Sequence, residues 1–265
     1  QLGEGRYVGP AHVPDGVTVR GLGPGRTVID GDTAAAITLG AGSRVEHVTL
    51  VGGGERVAWF PVPVVRITGP SAAMLGCVVH GHVVVSAHRA KIRACEVLGV
   101  VARGVDGLVV ARSRVKGMRW DVGIDVTDGA GHLVDTCEID GHLCAIRFAG
   151  TIASTVRGCT VRARWWGVHL AGCDGTAVIG NDVGATMRAA DVDGGTLNHV
   201  EGNVVHDGDS GCIVERGASQ TVVAGNRWER CRIGLLAWDV GDISHRDNAA
   251  IDLHEPEHTV AIGPT

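Results

Sequence analysis

Val134-Asp135-Thr136-Cys137-Glu138-Ile139, Val156-Arg157-Gly158-Cys159-Thr160-Val161, Val178-Ile179-Gly180-Asn181-Asp182-Val183 and Val200-Glu201-Gly202-Asn203-Val204-Val205 are four copies of one six-residue pattern. The pattern extends both ways. Residues 45–50, 74–79, 92–97 and 110–115 carry it upstream, and residues 223–228 and a degenerate 244–249 carry it downstream. The fourth residue of each copy reads Val48, Cys77, Cys95, Ser113, Cys137, Cys159, Asn181, Asn203, Asn226, Asn248, at intervals of 29, 18, 18, 24, 22, 22, 22, 23 and 22 residues. No ten-residue amphipathic helix fits between the copies. Each interval instead holds short strands separated by Gly, Asp or Asn. A unit of about 22 residues built from short strands is one turn of a parallel β-helix, and a single turn cannot bury its own inner face, so the turns must stack.

The expected fold is therefore all-β, a single-stranded parallel β-helix of about ten turns. One domain is expected over residues 1–265, with first turns and an N-terminal cap in 1–43, repeats in 44–250 and a C-terminal tail in 251–265. The open ends of such a stack need covering, and the tail from Pro256 could cover one of them.

Composition agrees and removes several classes. Hydrophobic residues at 45% and charged residues at 20% argue against disorder. The 41 glycines show no G-X-Y period, which excludes collagen. Aromatics are only 3%, so Val, Ile, Ala and Gly must form the strands. With 24 Lys and Arg against 29 Asp and Glu there is no strongly basic footprint, and nucleic acid is not an expected partner. No apolar stretch approaches the length of a membrane-spanning helix, so no membrane partner is expected. The chain begins at Gln1 without Met and reads as a processed or excised piece, which makes further domains of a larger chain expected companions.

Residues 13–29, Val-Pro-Asp-Gly-Val-Thr-Val-Arg-Gly-Leu-Gly-Pro-Gly-Arg-Thr-Val-Ile, together with repeats such as Gly202-Asn203-Val204-Val205, resemble the right-handed parallel β-helix proteins of the pectin-lyase-like superfamily. The likeness covers nearly the whole chain and implies a right-handed winding. It implies little about activity, because that superfamily includes lyases, hydrolases, epimerases, tailspikes and non-enzymatic modules. The Asn-Thr-Asp, Asp-Asp, Gly-His-Gly and Arg-Ile-Lys motifs of its pectin hydrolases are missing here, as is the Asp-Pro-His-Asp motif of its alginate epimerases. Those absences count against both activities in their familiar form and leave a lyase open.

Within each turn the Cys and Asn column reads as structural. Cys77, Cys95, Cys137 and Cys159 suit a stack of small, reduced core residues. A bridge such as Cys137–Cys159 is geometrically allowed. Asn181, Asn203, Asn226 and Asn248 continue the column as an amide ladder bonded to one another and to turn backbone.

A second column carries the candidate chemistry. In 123–127, 145–149, 167–171, 189–193, 211–215 and 234–238 the second and fourth residues are apolar and by alternation face inward. The third residues, which then face outward, are Asp125, Arg147, His169, Asp191, Ile213 and Leu236; the fifth are Thr127, Ala149, Ala171, Asp193, Glu215 and Trp238. Asp125, Arg147, His169 and Asp191 are the expected catalytic set. Imidazole exchanges protons near neutral pH, which makes His169 the candidate base, with Asp191 as the adjacent acid holding its charged form. Arg147 can grip a carboxylate or stabilise an enolate. Ala149 and Ala171 leave room for a ligand. Trp120, Trp165, Trp166, Asp193, Glu215 and Trp238 are the expected substrate-binding residues, the indoles offering apolar faces to sugar rings. No cofactor is expected, although the clustered acids could bind Ca²⁺, and the expected partner is a carbohydrate or small-molecule ligand.

The first functional reading is a carbohydrate-active enzyme, a lyase or epimerase on an acidic sugar, with glycoside hydrolysis by a carboxylate pair as a variant. The second is a non-catalytic binding or scaffolding module whose column residues merely pair across turns. The third is an isomerase or cyclase on a small metabolite, favoured by short loops. Among weaker candidates, the acids of residues 206–211 suit a cation or an ordinary turn, and His80, His82 and His88 suit a metal only if further ligands converge.

Overall fold

One residue in each copy of the repeat has left-handed backbone, and this decides where the chain turns. The φ angle lies between 49° and 62° at His47, Gly76, Ala94, Arg112, Thr136, Gly158, Gly180, Gly202, Gly225 and Asp247, each immediately before the Cys/Asn position. A single left-handed residue ends one strand and starts the next in a different sheet. Glycine does this without the Cβ clash that other residues suffer, which is why Gly-Cys and Gly-Asn recur.

The computed structural model describes residues 1–53, 62–117, 121–185, 187–253 and 260–262. All secondary structure among them is β-strand, and the strands pair in parallel. Among the described residues one sheet holds eleven strands, from Thr18–Arg20 to Ile243–Arg246, and all but the first precede a left-handed corner. The fold is thus the expected parallel β-helix, with one rung more than the repeat count because residues 5–20 already pair as strands with residues 27–46.

Two compact units divide the chain, residues 1–116 and 117–265. The first holds five of the eleven rungs, ending with Val109–Ala111; the second holds six, beginning with Leu133–Asp135. Their charges differ. Thirteen Lys and Arg against eight Asp and Glu give residues 1–116 a net charge of +5; eleven against twenty-one give residues 117–265 a net charge of −10.

The cores of both units are columns of β-branched and aliphatic side chains. Val45, Met74, Ile92 and Val110 stack in the first unit; Val134, Val156, Val178, Val200 and Val223 stack in the second, and all are buried. Strands are in register, so each core residue lies on its equivalent one rung away, about 4.8 Å along the stack. The corner column closes the same gap with polar atoms. The Asn203 carboxamide oxygen accepts from the Asn181 backbone N–H and side-chain N–H₂, both at 2.9 Å, while the Asn203 amide donates to Val178 C=O at 2.9 Å. Asn226 and Asn248 repeat the arrangement. Cysteine performs the same duty less well: Cys137 N–H approaches Cys159 Sγ at 3.5 Å, and the thiol turns back to Arg157 C=O at 3.3 Å. All eight cysteines are buried and free. A parallel column at another corner carries Ser154, Thr176 and Asn198, with Thr176 N–H donating to Asn198 Oδ1 at 3.0 Å; the repeat pattern did not expose it.

Val260–Ile262 adds a parallel strand to Leu235–Ala237. Pro256, to which an end-covering role is assigned above, lies outside the described residues.

Two substitutions test this account. Asn203→Ala strands a buried N–H and a buried C=O and should lower stability by about 2–4 kcal/mol. Thr136→Gly relieves a β-branched residue held at φ 53° and should raise stability by roughly 0.5–1 kcal/mol. Chemical denaturation measures both.

Candidate functional site

The register places the second column as its alternation implies. Asp125 pairs with Arg147, Arg147 with His169, His169 with Asp191, Asp191 with Ile213 and Ile213 with Leu236 on successive strands of residues 117–265. The neighbouring column runs Thr127, Ala149, Ala171, Asp193, Glu215, Trp238 by the same pairings. Ile124, Val126, Ile146, Phe148, Val168 and Leu170 between them are buried. A close approach keeps the start of these strands small. A Cβ on Gly167 would lie 2.5 Å from Ala189 C=O, and Ala occupies the equivalent positions 145 and 189.

The strands are longer than the repeat suggests. Glu138–Ala149 and Thr160–Asp174 run unbroken through the stretch that reads as a turn. That continuity creates a third column three residues upstream, Val122, Cys144, Trp166, Arg188, Ser210, Ile233. Trp166 and Arg188 cover the face. Trp166 stacks on His169 with ring centroids 5.8 Å apart and planes 21° apart, and Trp165 meets Trp166 edge-on at 5.4 Å. Arg188 Nη1 donates to Asp191 Oδ2 and to Glu215 Oε1, each at 2.8 Å.

This cover changes the role expected of Asp191. The residue is only 2% exposed and is bonded to Arg188. The acid within ion-pair reach of His169 is Asp193, with Oδ2 3.8 Å from Nε2, and Asp193 is itself held by Arg216 at 2.6 Å. Asp191 Oδ1 is buried without a hydrogen-bond partner among the described residues. Burial pushes the Asp191 carboxyl above the usual carboxylate range, against the opposing pull of Arg188.

Asp125 grips Arg147 through two bonds, from Nε to Oδ1 at 2.8 Å and from Nη2 to Oδ2 at 3.2 Å. A fork held this way keeps its orientation and still presents its remaining N–H groups. Beneath it Cys144 is buried, and desolvation pushes its thiol up to about 12, so it is no nucleophile.

The remaining candidates scatter. Trp165 is well exposed beside the column, and Trp238 is exposed in register with Glu215. Trp120 lies outside the described residues. His142 is fully buried, with Nδ1 3.0 Å from Asp121 Oδ1 and no partner for Nε2 among the described residues. The acids of the 206–211 turn are held by arginines: Asp207 takes Arg230 at 2.7 Å and Asp209 takes Arg232 at 2.6 Å. Among the described residues no three His, Cys, Asp or Glu side chains gather around a metal-sized space.

Sequence reasoning missed Arg188, the residue that ties Asp191 to Glu215. Its signal was a cation three positions before a column acid, in register with Trp166 one rung away.

The acids of this unit respond to pH in opposite senses. Arginine hydrogen bonds hold Asp207 and Asp209 below their ordinary values. Their stability contribution is therefore present above about pH 3.9 and lost as pH falls through the lower folded values. Asp191 is raised, so its ionised form costs the fold and acid relieves that cost. Arg188→Met should consequently destabilise by about 3 kcal/mol at pH 7 and by less near pH 4, with Asp191→Asn restoring stability in the double variant. Thermal unfolding across pH checks this.

A family model described as the right handed beta helix region matches residues 76–250. No curated protein matches the chain. Among solved structures, the surface adhesin PfbA of Streptococcus pneumoniae is similar over 94% of this chain and 83% of its own, at 10% identity and a TM-score of 0.72. The periplasmic alginate epimerase AlgG is similar over 94% of this chain and 79% of its own, at 11% identity and a TM-score of 0.67. An exopolygalacturonase from Thermotoga maritima is similar over 94% and 83%, at 10% identity and a TM-score of 0.57. At such identities the likeness is one of fold. Repeat, corner geometry and match over two thirds of the length agree: the chain belongs to the right-handed β-helix family.

Proposed function

We propose that the face built on Asp125, Arg147 and His169 binds an acidic carbohydrate and acts on it as a lyase or epimerase. The observation that carries the reading is the state of the column. Asp125 aims the Arg147 fork, and His169 lies one rung away, stacked on Trp166, with no hydrogen bond consuming its ring nitrogens among the described residues. Ala149 and Ala171 beside them add no bulk.

The chemistry follows from a uronate's own acidity. Its C5 proton is adjacent to a carboxylate. Arg147 binds that carboxylate and stabilises the charge that develops on it when the proton leaves. His169, neutral, takes the C5 proton. In elimination the C5–H electron pair forms the C4=C5 double bond while the C4–O bond breaks and its oxygen departs with a proton. In epimerisation a proton returns to C5 from the opposite face. Trp166 holds the imidazole plane, and Trp165 offers an exposed apolar face for a neighbouring ring. An alginate epimerase and an exopolygalacturonase share the fold, which supports the substrate class without fixing the reaction.

A non-catalytic binding module is the second reading. The closure of Asp125 on Arg147 and of Asp191 on Arg188 favours it, as does the adhesin among the similar folds.

Incubation with polyuronate oligosaccharides separates the two. A lyase raises the ultraviolet absorbance of a double bond conjugated to a carboxylate; an epimerase exchanges the C5 proton for solvent deuterium. His169→Ala should remove either signal by at least a hundredfold, and Arg147→Lys should weaken it about tenfold or more by losing the fork. Binding without either signal supports the module.

A further inference from the structure

The first unit carries a depression ringed by cations. A depression of about 240 Å³ lies on the strands Arg44–Glu46, Ala73–Leu75 and Lys91–Arg93. Arg44 and Lys91 flank Ala73 in register, one rung to either side, and Arg93 lies beside Leu75 on the same strands. The floor between these cations is a small side chain and a Leu that is 38% exposed.

These cations have no acid to hold. Arg20 takes the acid of the floor, Glu46, at 2.6 Å and leaves it almost buried. Among the described residues no acid pairs with Arg44, Lys91 or Arg93. Among the described residues the second unit pairs eight arginines with Asp or Glu, whereas in the first unit Arg6, Arg20 and Arg26 are paired and the cations of this depression are not. The net charges of +5 and −10 express the same contrast.

We infer that this face of residues 1–116 binds a carboxylated or sulfated polysaccharide. Cations two rungs apart stand roughly 9.6 Å from each other along the stack. Arg44 and Lys91 contact two such groups, Arg93 a third, and the apolar side of a ring rests on Leu75. The inference rests on the proposed function only for the class of polymer. It places a holding surface in one unit and the reacting column in the other.

The test uses the full chain with polygalacturonate, dextran sulfate, uncharged dextran and a DNA duplex as probes. Wild-type protein should bind polygalacturonate or dextran sulfate and ignore dextran, with affinity falling as salt screens the charges. The triple variant Arg44→Ala, Lys91→Ala, Arg93→Ala should lose about tenfold or more while unfolding at the same temperature, since all three side chains are exposed. In a His169→Ala background the triple variant should still lose about tenfold or more relative to that background, so the column can fail without this surface failing. Unchanged binding by the triple variant overturns the inference. So does an absence of polyanion binding by the wild type, or a tighter hold on the duplex than on both acidic polymers.

Discussion

Everything in this chain depends on in-register parallel stacking at a spacing of about 4.8 Å. A rung has no inner partner of its own, so it exists only against its neighbours. The spacing therefore applies to every position at once. Core positions meet it with Val, Ile and Leu, which interlock with their own kind. Corner positions must also satisfy backbone N–H groups that point along the stack. Asparagine does this best, with an oxygen that accepts from one rung and an amide that donates to a carbonyl. Serine and cysteine occupy the same column with weaker acceptors.

Stacking also governs charge. In-register placement brings like charges such as Asp193 and Glu215 within a few ångströms of each other, so each column acid is held by an arginine. Asp125 answers Arg147, and Arg188 draws Asp191 and Glu215 together. His169 stands in the middle of this arrangement beside an indole rather than a bonded acid. The proposed proton abstraction rests on this oriented imidazole next to a fixed guanidinium. In the depression of the first unit Glu46 is taken by Arg20, and among the described residues Arg44, Lys91 and Arg93 have no acid partner.

The fold was legible because its evidence is periodic. Copies of the Cys/Asn pattern announced rungs, and the apolar second and fourth residues announced an inward face, so the Asp125 to Asp191 column could be assembled from spacing alone. Lateral contacts were not legible. Nothing in the repeat marks that residues 160–174 form one strand, which carries Trp166 over His169, or that the strand 188–196 opens with Arg188 in register with Trp166, which brings it to Asp191. Asp191 consequently reads as an outward acid while in fact it is covered. The rung at residues 5–20 falls within the first turns expected over 1–43, although no Cys or Asn marks its corner. Total charge concealed the division between the units, because +5 and −10 sum to an unremarkable −5. The left-handed corner was half visible: glycine marks it at five copies, but His47, Ala94, Arg112, Thr136 and Asp247 adopt the same backbone without the usual sign.

The central claim is that His169 faces a bound acidic sugar. Carbon-13 labelled histidine allows the ring resonance of His169 to be followed by NMR, assigned through its loss in His169→Ala, as oligogalacturonate is added. The account predicts a saturable shift of that resonance, with the buried His142 and His132 unmoved. Saturable binding of the oligosaccharide that leaves the His169 resonance in place would contradict it.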